Sequence, residues 1–91
     1  IQRQMFGYDD RVMLVKVKFE AGAVGAMHSH PHSQVTYVVS GVHEMTIDGE
    51  VKQVKAGDGF YVLPNVLHSS YCIEPGIFID VFSPHREEFL K

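Results

Sequence analysis

Turn-forming residues punctuate this chain at intervals of roughly 8–12 residues, and that rhythm limits what it can fold into. Gly7-Tyr8-Asp9-Asp10, Gly22 with Gly25, Gly41, Asp48-Gly49, Ala56-Gly57-Asp58, Pro64-Asn65 and Glu74-Pro75-Gly76 each break the pattern. Gly supplies positive φ, Pro fixes φ and removes a donor, and Asn and Asp bond their own backbone. Between these breaks lie short runs of β-branched and aromatic residues. In Val12–Glu20, Val15, Val17 and Phe19 alternate with Lys16, Lys18 and Glu20, the period of a half-buried strand. Gln34–Ser40 reads as a strand closed by Gly41. His43–Ile47 and Val51–Lys55 flank Asp48-Gly49, the dipeptide of a tight hairpin. Gly59–Leu63 is apolar enough for a buried strand, and Leu67–Ile73 and Ile77–Ser83 follow on either side of the Glu74-Pro75-Gly76 turn. Ile1–Phe6 alternates weakly, and the charged tail Pro84–Lys91 has room for a single helical turn. Many short strands at this spacing predict an all-β sandwich or barrel, one domain over residues 1–91.

A core is feasible because 45% of the 91 residues are hydrophobic. Domains this small bury a limited fraction of their surface, so a metal or a second subunit is expected to help. The apolar strand residues Phe6, Val15, Val17 and Phe19 exceed what one small barrel obviously needs, which points to a homodimer through sheet packing; the competing reading places all four in the core. The formal net charge is only −3 with acids and bases interleaved, so neither nucleic acid nor an anionic membrane is an expected partner. No apolar run approaches the ~20 residues of a bilayer span. Cys72 is the single cysteine and has no internal disulfide partner, which favours a reducing, cytoplasmic setting. The chain begins at Ile1 without Met, which leaves room for a preceding segment.

The chemistry concentrates in Gly22–Gly41, GAVGAMHSHPHSQVTYVVSG. In a strand, residues two apart point to one face, so His28 and His30 can converge on one ion. Gln34 can add a neutral oxygen, and His68 in LPNVLHSSY is the candidate partner from elsewhere. A His-rich loop can equally be a solvated turn. His32 falls near the same face but follows Pro31, and His43 and His85 lack partners in sequence and read as solvated. Three imidazoles and an amide are all neutral, so an ion held by them keeps its charge uncompensated. At ~4 Å and an effective dielectric of ~20, a divalent ion and one anion attract by roughly 8 kcal/mol before desolvation, which favours an acidic substrate. In Ile77–Arg86, IFIDVFSPHR, alternation puts Phe78, Asp80 and Phe82 on one face and Ile79 and Val81 on the other. A carboxylate among apolar neighbours needs a use, and burial raises its pKa toward neutrality. The competing reading is a sheet-edge Asp facing water. Arg86, just beyond, can clamp a carboxylate.

These residues carry a family resemblance. Gly22 to Gly41, with His28, His30 and Gln34, resembles the first cupin motif, with Gln where that family usually has Glu. Gly57-Asp58 to His68 resembles the second, departing at Leu63, Asn65 and Cys72, and puts turn geometry in question there. The resemblance selects a jelly-roll barrel. The combination VKVKFEAGAVG, HSHPHSQ, KAGDGFYVLPNVLH and IDVFSPHREEFL is similar to the small cupins of pectin and alginate degradation, over about residues 12–90. That likeness implies metal-dependent conversion of 4,5-unsaturated monouronates, small acidic sugars, to linear keto-deoxyuronates. It implies His28, His30, Gln34 and His68 as ligands of one divalent transition metal (Ni, Zn, Mn or Fe), and Asp80, Phe82 and Arg86 as catalytic residues. A non-catalytic sugar- or metabolite-binding cupin and a metal-dependent dioxygenase are the alternatives.

Overall fold

The computed structural model describes residues 1–90. Seven strands form one antiparallel sheet: β1 (Gln2–Tyr8), β2 (Met13–Phe19), β3 (Val24–His28), β4 (Ser33–Ile47), β5 (Glu50–Lys55), β6 (Gly59–Val62) and β7 (His68–Ser83). A 3₁₀ turn, Glu87–Leu90, follows β7 and is the helical turn expected of the tail. The sheet runs β1-β2-β7-β4-β5, with β3 added to β7 and β6 to β4. No helix is long and apolar enough to cross a membrane among the described residues.

Two long strands organise the fold. β4 pairs along nearly its whole length with β7, from Ser33 opposite Ser83 to Ile47 opposite His68. The first half of β4 also pairs with β6 and its second half with β5. Two breaks expected from sequence are bends instead. Gly41 does not end a strand, and Glu74-Pro75-Gly76 does not separate two. The two positions face each other: a Cβ on Gly41, whose φ is +88°, would lie 2.7 Å from the Gly76 Cα and 2.8 Å from the Glu74 carbonyl oxygen. Only glycine permits that approach. The register shifts there, between Val38 and His43, and bulges of this kind bend a sheet.

The bulge also reverses strand parity. Inward residues of β4 are even before it (Gln34, Thr36, Val38) and odd after it (His43, Met45). His43, expected to be solvated, is therefore fully buried between Phe19 and Phe78, at ring-centroid distances of 5.2 and 4.3 Å. His85 is half-buried and stacks on Tyr8 rather than standing free in water. The Asp48-Gly49 hairpin forms as expected, with φ of 51° and 79° and Ile47 opposite Glu50. β6 is less buried than its composition suggests, with only Val62 inside.

One core runs through the fold, built from Met13, Val15, Val17 and Phe19 of β2 and inward residues of β4, β5 and β7. Three of the four residues proposed as dimer surface thus belong to the interior. Phe6 alone is exposed. β2 lies between β1 and β7, with its apolar face turned into the core.

Candidate metal centre

His28 closes β3 and His68 opens β7, and the two are register partners. His30 lies beyond the end of β3, so the His-x-His pair converges through an irregular segment rather than along one strand. Asn65 holds that segment: its N–H donates to the His30 carbonyl at 2.7 Å. Asn65 itself has φ of 66°, the left-handed conformation that Asn tolerates better than most residues, so the departure from Gly there keeps the turn. One ligand atom from each of His28, His30 and His68 lies within 4.8 Å of the others, close enough to share an ion.

Each ring has one nitrogen against the backbone. His28 Nδ1 faces the Ala26 carbonyl at 2.8 Å, His68 Nδ1 the Val66 carbonyl at 2.9 Å, and His30 Nδ1 the His32 carbonyl at 3.2 Å. With Nδ1 protonated, every Nε2 carries a lone pair, the state required of a metal ligand. Burial holds the His30 and His68 pKa values below the ordinary histidine value, which also favours neutral rings.

His30 supplies a sharper test of fit. Its Nε2 lies 3.1 Å from Gln34 Oε1 while its Nδ1 faces the His32 carbonyl. In either neutral tautomer, one of these contacts sets two lone pairs face to face. A doubly protonated ring would satisfy both, but burial, Arg86 and His68 all oppose that charge. A cation shared by Nε2 and Oε1 resolves the conflict. Two ligands at right angles on bonds of about 2.1–2.2 Å stand about 3 Å apart, so the spacing suits a shared ion. The residues present fit a divalent transition metal.

Asp80 is 8% exposed, inward on β7 between Phe78 and Phe82. Burial pushes its pKa up to about 6, against a hydrogen bond from Thr36 and the charges of Arg3 and Arg86, which pull it down. Asp80, Phe82 and Arg86 line the same pocket as His28, Gln34 and His68. His30 adjoins it, edge-on to Phe82 at 5.8 Å. The Arg86 guanidinium stacks 4.3 Å from the Phe89 ring centroid and 5.1 Å from that of Phe82, and bonds Glu88 Oε1 at 2.7 Å. The 3₁₀ turn therefore positions Arg86 at the pocket.

Two residues were not anticipated. Arg3 of β1 lines the pocket with its guanidinium 4.7 Å from the Phe89 ring centroid, and nothing in its local sequence marks it. Thr36 links Gln34 to Asp80; strand parity puts it on the face of Gln34, but nothing local in sequence places Asp80 opposite it. His32 is buried beside His30, at 5.4 Å between ring centroids, and its Nδ1 has no hydrogen-bond partner among the described residues.

A bent antiparallel barrel with two imidazoles lining one pocket and a third beside it defines the class. The cupin domain family model matches residues 15–82, and the chain belongs to that family. Within it, the chain is 39% identical over 92 residues to the pectin degradation protein KdgF of Dickeya dadantii (strain 3937), covering 99% of this chain and 84% of that protein. Among solved structures, KdgF from Halomonas sp. superposes with a TM-score of 0.92 at 38% identity, covering 97% of this chain and 82% of the other. An RmlC-like cupin from Shewanella frigidimarina NCIMB 400 superposes with a TM-score of 0.93 at 49% identity, covering 96% and 78%.

Proposed function

We propose that this cupin converts 4,5-unsaturated monouronates to linear keto-deoxyuronates, a step in pectin or alginate degradation. The observation that carries the reading is a buried carboxyl, Asp80, its pKa pushed up by burial, in one pocket with two imidazoles of the cluster and the Arg86 guanidinium. The likeness to two proteins named KdgF, one of them described as a pectin degradation protein, supports the substrate class.

In the reaction the sugar's hemiacetal C1–O5 bond breaks as the C1 hydroxyl gives up its proton and O5 gains one, leaving an aldehyde at C1 and an enol at C5. The enol becomes a ketone as C4 gains a proton and the enol oxygen loses one, so atoms and charge balance. Asp80 moves that proton: burial favours its protonated form, so the carboxyl can give a proton as well as take one. Arg86 binds the substrate carboxylate, oriented by Glu88 and by the Phe82 and Phe89 rings. Phe82 forms the wall that keeps the pocket apolar around Asp80. His28, His30, Gln34 and His68 would hold one divalent ion, which when bound would supply Lewis-acid stabilisation of charge developing on substrate oxygen. We further propose that the chain assembles as a homodimer.

The test is turnover of unsaturated monouronates, followed as loss of absorbance from the conjugated enol ether. Wild type should consume the chromophore, and His28→Ala should lose metal and turnover together. Tight binding without turnover by the metal-loaded wild type would replace this reading with a non-catalytic binder. Oxygen uptake coupled to an iron-loaded protein would replace it with a dioxygenase.

A further inference from the structure

We infer that Thr36 is a positioning residue of this site, its hydroxyl fixing both the orientation of the Gln34 amide and the oxygen through which Asp80 exchanges its proton. The inference rests on the functional reading above and adds to it a residue outside the ligand and catalytic sets. Thr36 is 1% exposed, on β4 opposite Asp80 of β7. Its hydroxyl lies 2.7 Å from Asp80 Oδ1 and 3.0 Å from Gln34 Nε2.

A hydroxyl has one proton to donate. At 2.7 Å that proton goes to the carboxylate, in the charge-assisted bond of the pair. The hydroxyl oxygen must then accept from Gln34, which is possible only if the amide turns its NH₂ toward Thr36. The amide oxygen is left facing His30 Nε2, the orientation a metal ligand needs. Without the hydroxyl, nothing among the described bonds holds this orientation. A flipped amide would donate N–H to the His30 Nε2 lone pair, which satisfies both groups and blocks two ligand atoms at once.

The same bond divides the two oxygens of Asp80. Oδ1 is held as the acceptor of Thr36, while Oδ2 has no hydrogen-bond partner among the described residues and is not among the fully enclosed unpartnered atoms. Asp80 lines the pocket, so Oδ2 is the oxygen left to meet substrate. A single hydroxyl thus sets the metal ligand on one side and the acid–base group on the other.

Thr36→Val keeps the shape and removes the hydroxyl, and Thr36→Ser restores it without the methyl. Ni²⁺ retention is read by titrating the Ni²⁺-loaded proteins with a chelator, and kcat and KM are measured separately on unsaturated monouronate. Outer partners of metal ligands typically contribute 10–100-fold to affinity or activity. Thr36→Val should lose Ni²⁺ affinity by about that factor and lower kcat more than it raises KM, with Thr36→Ser returning both toward wild type. Wild-type Ni²⁺ affinity in a folded Thr36→Val protein would overturn the inference. So would a Thr36→Ser protein as impaired as Thr36→Val, because the methyl and not the hydroxyl would then matter. If wild type turns over no unsaturated uronate, the functional reading falls, and the Ni²⁺ titration alone decides the role of Thr36.

Discussion

His28 and His68 stand opposite each other across β3 and β7, with ring centroids 4.3 Å apart. Half of the candidate metal centre is therefore made by strand pairing between residues far apart in sequence. β3 is short and among the described residues pairs with β7 alone, so the position of His28 depends on that one ladder. The register shifts between Gly25 and His28, and Gly25 lies where a Cβ would meet the Ser70 hydroxyl. The close seating of β3 is what brings the first ligand to the second.

Asp80→Asn should separate catalysis from stability. Turnover should fall by about 10²–10⁴-fold, the usual contribution of general acid–base catalysis. The swap keeps shape, but it should not be neutral for folding. Raising a carboxyl from 3.8 to about 6 corresponds to a penalty of about 3 kcal/mol on the ionised folded protein. The folded state binds this proton more tightly than the unfolded one. The penalty is therefore absent below about pH 4, grows between pH 4 and 6, and is complete above 6. In metal-stripped protein, urea unfolding should find Asp80→Asn gaining on wild type by about 1–3 kcal/mol more at pH 7.5 than at pH 4.5. An equal gap at the two pH values would show that Asp80 is not penalised by burial.

Arg86→Ala should act on substrate binding. A hydrogen bond to a charged group is worth about 1.5–3 kcal/mol, so KM should rise by about 10–100-fold with a smaller change in kcat. Loss of the stacking on Phe82 and Phe89 should also lower the melting temperature slightly. Arg86→Lys separates the two effects, since Lys keeps the charge but lacks the planar fork. A KM unchanged in both variants would remove Arg86 from the binding role.

What was legible in the sequence and what was not divides along physical lines. The hairpin at Asp48-Gly49 and the inward Phe78, Asp80 and Phe82 follow from local rules, turn dihedrals and period-two alternation, and both are present. Gly41 and Gly76 were read as chain breaks because glycine in a strand and glycine in a turn look alike in sequence. Only the pairing of β4 with β7 shows that they permit a close approach. The reversal of parity at that bulge then hid the burial of His43. The likeness to small cupins pointed to His28, His30, Gln34 and His68, but the link from Gln34 through Thr36 to Asp80 spans two strands and had no local pattern.

His43 should make the fold acid-sensitive. Burial lowers its pKa from 6.5, against a bond to the Ser40 carbonyl, and its Nδ1 has no hydrogen-bond partner among the described residues. The unfolded chain then takes up a proton more readily than the folded one, so stability falls as pH drops below about 6.5. His43→Leu removes that term. Its stability at pH 7.5 should lie within about 1 kcal/mol of wild type, because the bond lost is long, 3.4 Å. Urea unfolding in metal-stripped protein between pH 7.5 and 5 should fall less steeply for the variant. Parallel pH profiles would mean that other groups carry the acid sensitivity.

A homodimer would need a different surface from the one its sequence suggested, since Val15, Val17 and Phe19 fill the core. The outer face of β4 offers it. Val35 and Tyr37 are 54% and 53% exposed, and Tyr61 of β6, opposite Val35, is 50% exposed. The half-buried Val81 and Ile79 of β7 stand opposite Val35 and Tyr37 and extend the same apolar face. Parity leaves these residues outward because Gln34, Thr36 and Val38 point in to the site and core. An isologous two-fold contact would bring the face against its own copy, so each substitution there acts twice. A carboxylate buried without a partner costs on the order of several kcal/mol. Val35→Glu with Tyr37→Glu should therefore raise the dimer dissociation constant by at least about 100-fold while leaving the monomer folded. Sedimentation at micromolar concentration would show it as a change from dimer to monomer mass. A dimer unaffected by both substitutions would place the interface elsewhere, and a wild type that sediments as a monomer would end the dimer reading.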